Sequence, residues 1–205
     1  RIAGQGCYFI TATFKAPECV NCRNIQIDIA TGLYNRNCWE SIKSNISFYP
    51  KLQNFSLILI DIDNMKEIND IHGHLTGDKA IKIVGQAIKR SIRVESDLGI
   101  RYGGDEFIVL LANQNGKAAE KVIERIREQI DKVAASEGLD IQISAGVAYN
   151  DRTVDIEKII EMADKNLYKE KEMKKGKKKQ YDEYNNLIKE IEEIRKELDV
   201  KVNNE

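Results

Sequence analysis

Two pairs of acidic residues stand where this chain could handle phosphate chemistry. Asp61 and Asp63 close the apolar run Phe55-Ser-Leu-Ile-Leu-Ile60, and Asp105 and Glu106 follow Gly103-Gly104. Either pair alone is what a strand end or a hairpin tip carries for solubility. If the hairpin lies beside the 55–61 run, the two pairs converge on one sheet edge, and converging carboxylates repel unless a cation neutralises them. Magnesium suits such a site, because it is held by a few carboxylates plus substrate phosphates. Two such ions make the arrangement used for in-line phosphoryl displacement. Gly103 and Gly104 can adopt positive φ, and without side chains they let a bulky ligand lie against the backbone. An ordinary tight turn would explain the glycines but not the acids beside them.

The elements that must position these residues are legible from periodicity. The run from Phe55 to Asp61 is almost continuously apolar, as expected of a central strand buried on both faces. The stretch 99–111 has two apolar arms around Gly103-Gly104 and predicts a β-hairpin. Ile141 to Ala148 predicts a further strand. Helices are predicted after Asn35, with Trp39 and Ile42 turned inward, and over 77–95, about 116–135 and 155–172. Residues 7–14 are β-branched and aromatic and predict a strand that Pro17 ends. It is either an extra edge strand or the last strand of a preceding domain. Residues 174–179 are nearly all lysine. Beyond them Tyr184, Leu187, Ile191, Ile194 and Leu198 recur at spacings of three and four. That seam suits either a short coiled coil or a helix packed back on its own domain.

Bulk composition narrows the function classes. The 205 residues suit one α/β domain with modest extensions, and a net charge of −1 gives no global attraction to nucleic acid or to a membrane surface. A nucleotide site must then be built from locally placed lysines. No apolar run approaches the ~20 residues that span a bilayer, so no membrane segment is expected in this chain, and the expected location is cytoplasmic. The chain opens on Arg1 rather than Met, consistent with a preceding portion. Cys7, Cys19, Cys22 and Cys38 include one Cys-x-x-Cys spacing. The other two are not spaced as a second knuckle, so reduced thiols are the favoured reading over zinc.

The motifs then resemble a known family. Arg101-Tyr-Gly-Gly-Asp-Glu-Phe107 is the full signature of the GGDEF diguanylate cyclases. Asp28-Ile-Ala-Thr-Gly-Leu-Tyr-Asn-Arg36 is similar to that family's entry motif. Asp61 through Asp78 resembles its first strand, phosphate loop and base pocket, and Ala163-Asp-Lys-Asn-Leu-Tyr-Lys-Glu-Lys171 resembles its last helix. Four ordered motifs over about residues 26–172 make coincidence implausible. The organisation expected is an N-terminal segment 1–25, a catalytic domain 26–172, and a Lys-rich linker with an amphipathic helix over 173–205.

The resemblance implies a ferredoxin-like, polymerase-palm-like α/β (α+β) fold: a central, mostly antiparallel sheet flanked by helices, with a C-terminal helical extension. It implies synthesis of the bacterial second messenger cyclic di-GMP from two GTP, with two Mg2+ (or Mn2+) ions per active site. Asp61, the Ile62 main-chain carbonyl and Asp105 would bind metal, and all are hard oxygen donors. Asp105 and Glu106 are the catalytic candidates. Asp105 is the family's candidate base, although a carboxylate touching Mg2+ is a poor base unless the metal acidifies the hydroxyl. Glu106 would help hold the second ion. The amides of Asn64, Met65 and Lys66 would cradle phosphates at a helix start, with Lys66 and Lys171 adding charge. Lys175 matches a further basic position only across a stretched spacing. Gly103 and Gly104 would face the substrate. Asn69 and Asp78 would read guanine, since a carboxylate accepts from N1 and N2 and adenine would leave it unpaired. His74 either lines that pocket or makes a structural hydrogen bond at the helix start, and His72 has no assigned role.

One departure concerns feedback. The family's product-inhibition site is an Arg-x-x-Asp shortly before the Gly-Gly turn, where this chain has Val94-Glu-Ser-Asp97. Arg93 is one residue out of register, about 100° around a helix. Weak or absent feedback is therefore expected. Catalysis should need a homodimer, its contact supplied by the tail seam or by an upstream sensor domain. The alternatives are a catalytically silent GTP-binding signalling module and a cyclase of relaxed base choice, against which Asp78 argues.

Overall fold

The computed structural model describes residues 26–46, 52, 54–150 and 155–202. In chain order the elements are β1 (Tyr34–Asn35), α1 (Arg36–Ser44), β2 (Phe55–Ile62), α2 (Met65–His72), α3 (His74–Ser91), β3 (Leu98–Arg101), β4 (Glu106–Ala112), α4 (Gly116–Ser136), β5 (Ile143–Asn150) and α5 (Ile156–Val202). The strand expected over 7–14, together with Cys7, Cys19 and Cys22, lies outside the described residues.

The sheet order is β1-β3-β4-β2-β5, with β1 parallel to β3 and every other pairing antiparallel. From β2 onward the chain runs strand, helices, strand, strand, helix, strand, which is the ferredoxin-like arrangement that the resemblance implied. β2 sits between β4 and β5, and helices cover both faces. On one face Ile58, Ile60 and Ile62 join Phe107, Val109, Leu111 and Ile143 against α3 and α4. On the other, Phe55 and Leu57 join Ile108 and Leu110 against Trp39 and Ile42 of α1 and Ile159 and Ala163 of α5. Successive side chains of a strand point to opposite faces. A strand covered on both sides therefore reads as an unbroken apolar run, which is why β2 shows no alternation.

Local chemistry sets several boundaries. Asn35 caps α1 by accepting the Cys38 N–H at 3.1 Å, and Asn115 caps α4 by accepting that of Ala118 at 3.1 Å. α3 begins earlier and ends earlier than the 77–95 that apolar spacing predicts. It starts where Gly73 takes φ +81, and it stops at Ile92, whose backbone is extended. β5 is likewise shifted to 143–150, because its register is set by pairing with β2 rather than by its own apolar pattern. Cys38 is buried against the sheet, and burial pushes its thiol up to about 12.

Two compact units divide the chain, the first ending at Leu167 and the second beginning at Tyr168. The described part of the second unit is the remainder of α5. Its lysine-rich stretch is helical, and Lys174–Glu170 (3.3 Å) and Lys175–Glu172 (3.0 Å) pair along it. Such pairs at helical spacing offset the self-repulsion of the lysines. The side chains of the apolar seam beyond Tyr184 fall outside those described. Among the described residues no helix is long and apolar enough to cross a membrane.

At Gly146 α5 lies close against the sheet. A Cβ built there would strike the carbonyl oxygen of Ala163 and the backbone nitrogen of Leu167 and lie 2.8 Å from the Leu167 Cα. Backbone cannot step aside as a flexible side chain can. Gly146→Ala should therefore destabilise the domain by about 1–3 kcal/mol, read as a lower urea midpoint at unchanged slope. An unchanged midpoint would mean that α5 is not seated there.

Candidate active site

The register of β2 against β4 brings the two acidic pairs together. Asp61 is the partner of Glu106, and the Ile62 N–H donates to the Asp105 carbonyl oxygen at 3.2 Å. Residues directly opposite in an antiparallel pair share a face, with Cβ atoms about 5 Å apart. Asp61 and Glu106 thus stand side by side on the face that α1 and α5 cover, at the end of the sheet. Asp105 is one step on, in the turn. Two like charges at such a separation disfavour each other, and a divalent cation relieves them. Among the described residues no three carboxylate, thiolate or imidazole side chains gather closely enough to hold an ion alone. Two carboxylates and a main-chain carbonyl form the incomplete, all-oxygen donor set that Mg2+ accepts when substrate phosphates supply the rest.

The Gly-Gly turn differs from expectation. Neither Gly103 nor Gly104 is among the positive-φ residues, so conformational freedom is not what the turn requires. Instead the two glycines serve different purposes. A Cβ on Gly103 would come within 2.6 Å of Glu106 Oε2, so the Glu106 carboxylate lies over that glycine. A Cβ on Gly104 would meet nothing within 4 Å. The folded chain has no steric need for a glycine there, which leaves its open backbone for a ligand to approach.

A further clasp holds this turn. Arg101 Nη2 donates to the Gly104 carbonyl at 2.7 Å, Nε donates to those of Gly103 (3.1 Å) and Gly104 (3.2 Å), and Nη1 pairs with Asp28 Oδ2 at 3.2 Å. Asp28 in turn accepts from the Thr31 N–H and hydroxyl. Both residues belong to sequence motifs, but the motifs assign neither a contact. Seventy-three positions separate them, and no local pattern reports a contact at that range.

The α2 start lies directly beyond β2. Asn64 takes a left-handed conformation (φ 55, ψ 31) without a side-chain cap, so the first amides of α2 are not consumed by capping. Met65 packs its side chain against the core and offers only its backbone; Lys66 is exposed. In the candidate base pocket, Asn69 is half-buried, and a Cβ on Gly77 would strike its Oδ1 and lie 2.8 Å from Met65 Cε. Gly77 therefore seats Asn69 against the first turn of α3. Asp78 is exposed on α3, as is His74 at its first residue. The N-cap position of α3 is Gly73, which has no side chain to cap with, and His74 is the first helical residue. Lys171 and Lys175 lie beyond Leu167, in the second unit.

The feedback position is structurally occupied. Asp97, only 4% exposed, accepts from Arg93 N (2.9 Å), Nε (3.0 Å) and Nη2 (2.7 Å), and from the Ala112 N–H (3.2 Å). The expected 100° offset assumed that the helix reached this far. Because α3 ends at Ser91, Arg93 instead folds back onto Asp97 across a turn.

A mixed sheet flanked by helices, presenting converging acids beside an open helix start, defines an α/β domain equipped for a phosphorylated ligand. Comparisons with known proteins then give the family. Residues 25–177 match the model of the family described as "Diguanylate cyclase, GGDEF domain", and the chain belongs to that family. It is 35% identical over 165 residues to diguanylate cyclase DosC of Escherichia coli, covering 78% of this chain and 36% of DosC. It is 38% identical over 146 residues to diguanylate cyclase DgcS of Shewanella oneidensis, covering 70% and 49%. The chain thus spans a third to a half of these relatives. Among solved structures, the coiled coil and GGDEF domain of DgcB from Caulobacter crescentus, in complex with c-di-GMP, matches with a TM-score of 0.64 at 27% identity. That match covers 73% of this chain and 82% of the solved DgcB chain.

The different duties of the two turn glycines can be separated by substitution. Gly104→Ala should leave stability within about 0.5 kcal/mol of the parent, so any loss of nucleotide affinity would report ligand contact. Gly103→Ala should displace Glu106 and weaken divalent-cation binding. Equal thermal and binding behaviour of the two variants would refute this division.

Proposed function

We propose that this chain is a diguanylate cyclase domain, condensing two GTP into cyclic di-GMP and two pyrophosphates. The observation that carries the reading is the β2–β4 register, which sets Asp61 opposite Glu106 and next to Asp105 beside the uncapped start of α2. Each domain binds one GTP, and a homodimer turns the two sites toward each other. The 3′-hydroxyl oxygen of each GTP forms a bond to the α-phosphorus of the other. The α–β bridging bond breaks, pyrophosphate leaves and the hydroxyl proton is lost to solvent or to a carboxylate. Asp61, the Ile62 carbonyl and Asp105 would hold Mg2+, with Glu106 assisting a second ion. When bound, these ions neutralise developing charge on the phosphates and acidify the hydroxyl. The chain's own residues position. The amides of Asn64, Met65 and Lys66 hold the terminal phosphates, with Lys66, Lys171 and Lys175 adding charge, and Asn69 and Asp78 select guanine. Positioning and charge neutralisation supply most of the catalysis in phosphoryl transfer.

Support comes from the family match, from the named diguanylate cyclase relatives and from the presence of every motif residue that a silent module usually loses. The test is incubation with GTP, ATP and Mg2+, with identification of any cyclic dinucleotide and of pyrophosphate. The expected result is cyclic di-GMP alone, formed at a rate rising faster than linearly with protein, and a drop of at least about a hundredfold for Asp61→Ala. GTP binding without turnover at high protein concentration would instead indicate a signalling module, and a mixed product would indicate relaxed base choice.

We further infer that this domain lacks the Arg-x-x-Asp feedback site. Val94 stands at its arginine position, and the carboxylate of Asp97 is spent on Arg93 and Ala112. Asp97→Ala should cost about 2–4 kcal/mol of stability, as expected when a buried paired charge loses its bonds. It should leave inhibition by cyclic di-GMP unchanged. Submicromolar product binding abolished by that substitution would contradict the inference.

A further inference from the structure

Asp63 is the one acid of the two pairs to which the proposed chemistry gives no duty, and its surroundings give it another. Ser144 lies on β5 opposite Asp61 and is fully buried. Its hydroxyl donates to Asp63 Oδ1 at 2.6 Å, and the Asp63 N–H donates to the Gln142 carbonyl at 2.9 Å. The β5 side of the sheet therefore grips Asp63 by both side chain and backbone. A hydroxyl–carboxylate bond of this length belongs to the stronger, charge-assisted kind.

The grip matters because of the residue that follows. Asn64 is left-handed at φ 55, a conformation uncommon for a residue with a Cβ though one that Asn adopts more readily than most, so its neighbours decide whether the bend is kept. On its far side the Asn64 carbonyl accepts the Ile68 N–H at 3.0 Å, and its own side chain makes no cap. The bend from β2 into α2 is thus held between Asp63, anchored to β5, and the first turn of the helix. That bend sets the direction in which the amides of 64–66 point.

We propose that Asp63 is a positioning residue: through Ser144 it holds the bend at Asn64 and so aims the first amides of α2 at the phosphates of the nucleotide. The proposal rests on reading α2's start as the phosphate cradle, and it assigns Ser144, a residue outside every motif that identifies the family here, a part in substrate binding.

The test uses the full chain, a GTP analogue carrying a methylene bridge between the α- and β-phosphorus, so that affinity is measured without turnover, and Mg2+. Ser144→Ala and Asp63→Ala should each weaken analogue affinity about tenfold, the size of one lost hydrogen bond to a charged group. The double variant should be no weaker than Asp63→Ala alone, because both remove one contact. Ser144→Thr, which keeps the hydroxyl, should recover most of the loss. The Mg2+ concentration for half-saturation should not move in either variant, which separates positioning from metal ligation. Should Ser144→Ala fail to fold, Asp63→Asn decides: it keeps an acceptor for the hydroxyl and should bind more tightly than Asp63→Ala. Additive losses in the double variant would overturn the proposal. So would a raised Mg2+ requirement confined to Asp63→Ala, or affinities equal to the parent's. A parent chain that binds the analogue but makes no cyclic product would defeat the proposed activity and leave this inference standing on affinities. A parent that does not bind the analogue would defeat both.

Discussion

The register of β2 between its two neighbours is the constraint on which the site depends. β2 has no free edge: β4 hydrogen-bonds along one side from Phe55 to Asp61, and β5 along the other from Phe55 to Ile62. Both faces are also covered, so a slip of one residue would exchange the contents of two cores at once. That over-determination lets the strand end abruptly in charge. Asp61 is carried to the end of the sheet by the register of the apolar residues before it, and Glu106 and Ser144 stand on either side of it by strand pairing.

The groups around that edge form a set of braces rather than a finished cage. Arg101, tied to Asp28, holds the carbonyls of the Gly-Gly turn. Ser144 holds Asp63, and Gly77 gives Asn69 room to lean on α3. Each brace acts on backbone or on a neighbouring side chain. In the proposed metal–nucleotide site, much of the electrostatic complement would arrive with the substrate. The Arg93–Asp97 clasp applies the same economy to structure: it closes the turn between α3 and β3 and holds the end of β4.

Much of this was readable in the residue order. The Phe55–Asp61 run announced a strand buried on both faces, and the paired apolar arms around Gly103-Gly104 announced the hairpin. Asn35 before Trp39 announced the α1 start. Departures came where a local pattern was outvoted by pairing or by a side chain. α3 stops short because Ile92 is extended and Arg93 turns back to Asp97. β5 slides because β2 dictates its register. Gly103 is needed for its lack of bulk and not for φ, a distinction that no sequence contains, since it depends on where the Glu106 side chain lies.

The motifs and family membership were therefore determined by the sequence itself, because residue type, order and spacing carry them directly. Asp61, Asp105 and Glu106, the Gly-Gly pair and the run from Asn64 to Asp78 could all be named before any coordinates. Contacts between residues far apart in the chain were decided only by the tertiary structure: Asp28 with Arg101, Asp63 with Ser144, and Ala163 and Leu167 of α5 with Gly146. The physical reason is that such contacts depend on strand register and helix seating. Both are settled by burial of the whole core and leave no local trace in the residues that they bring together.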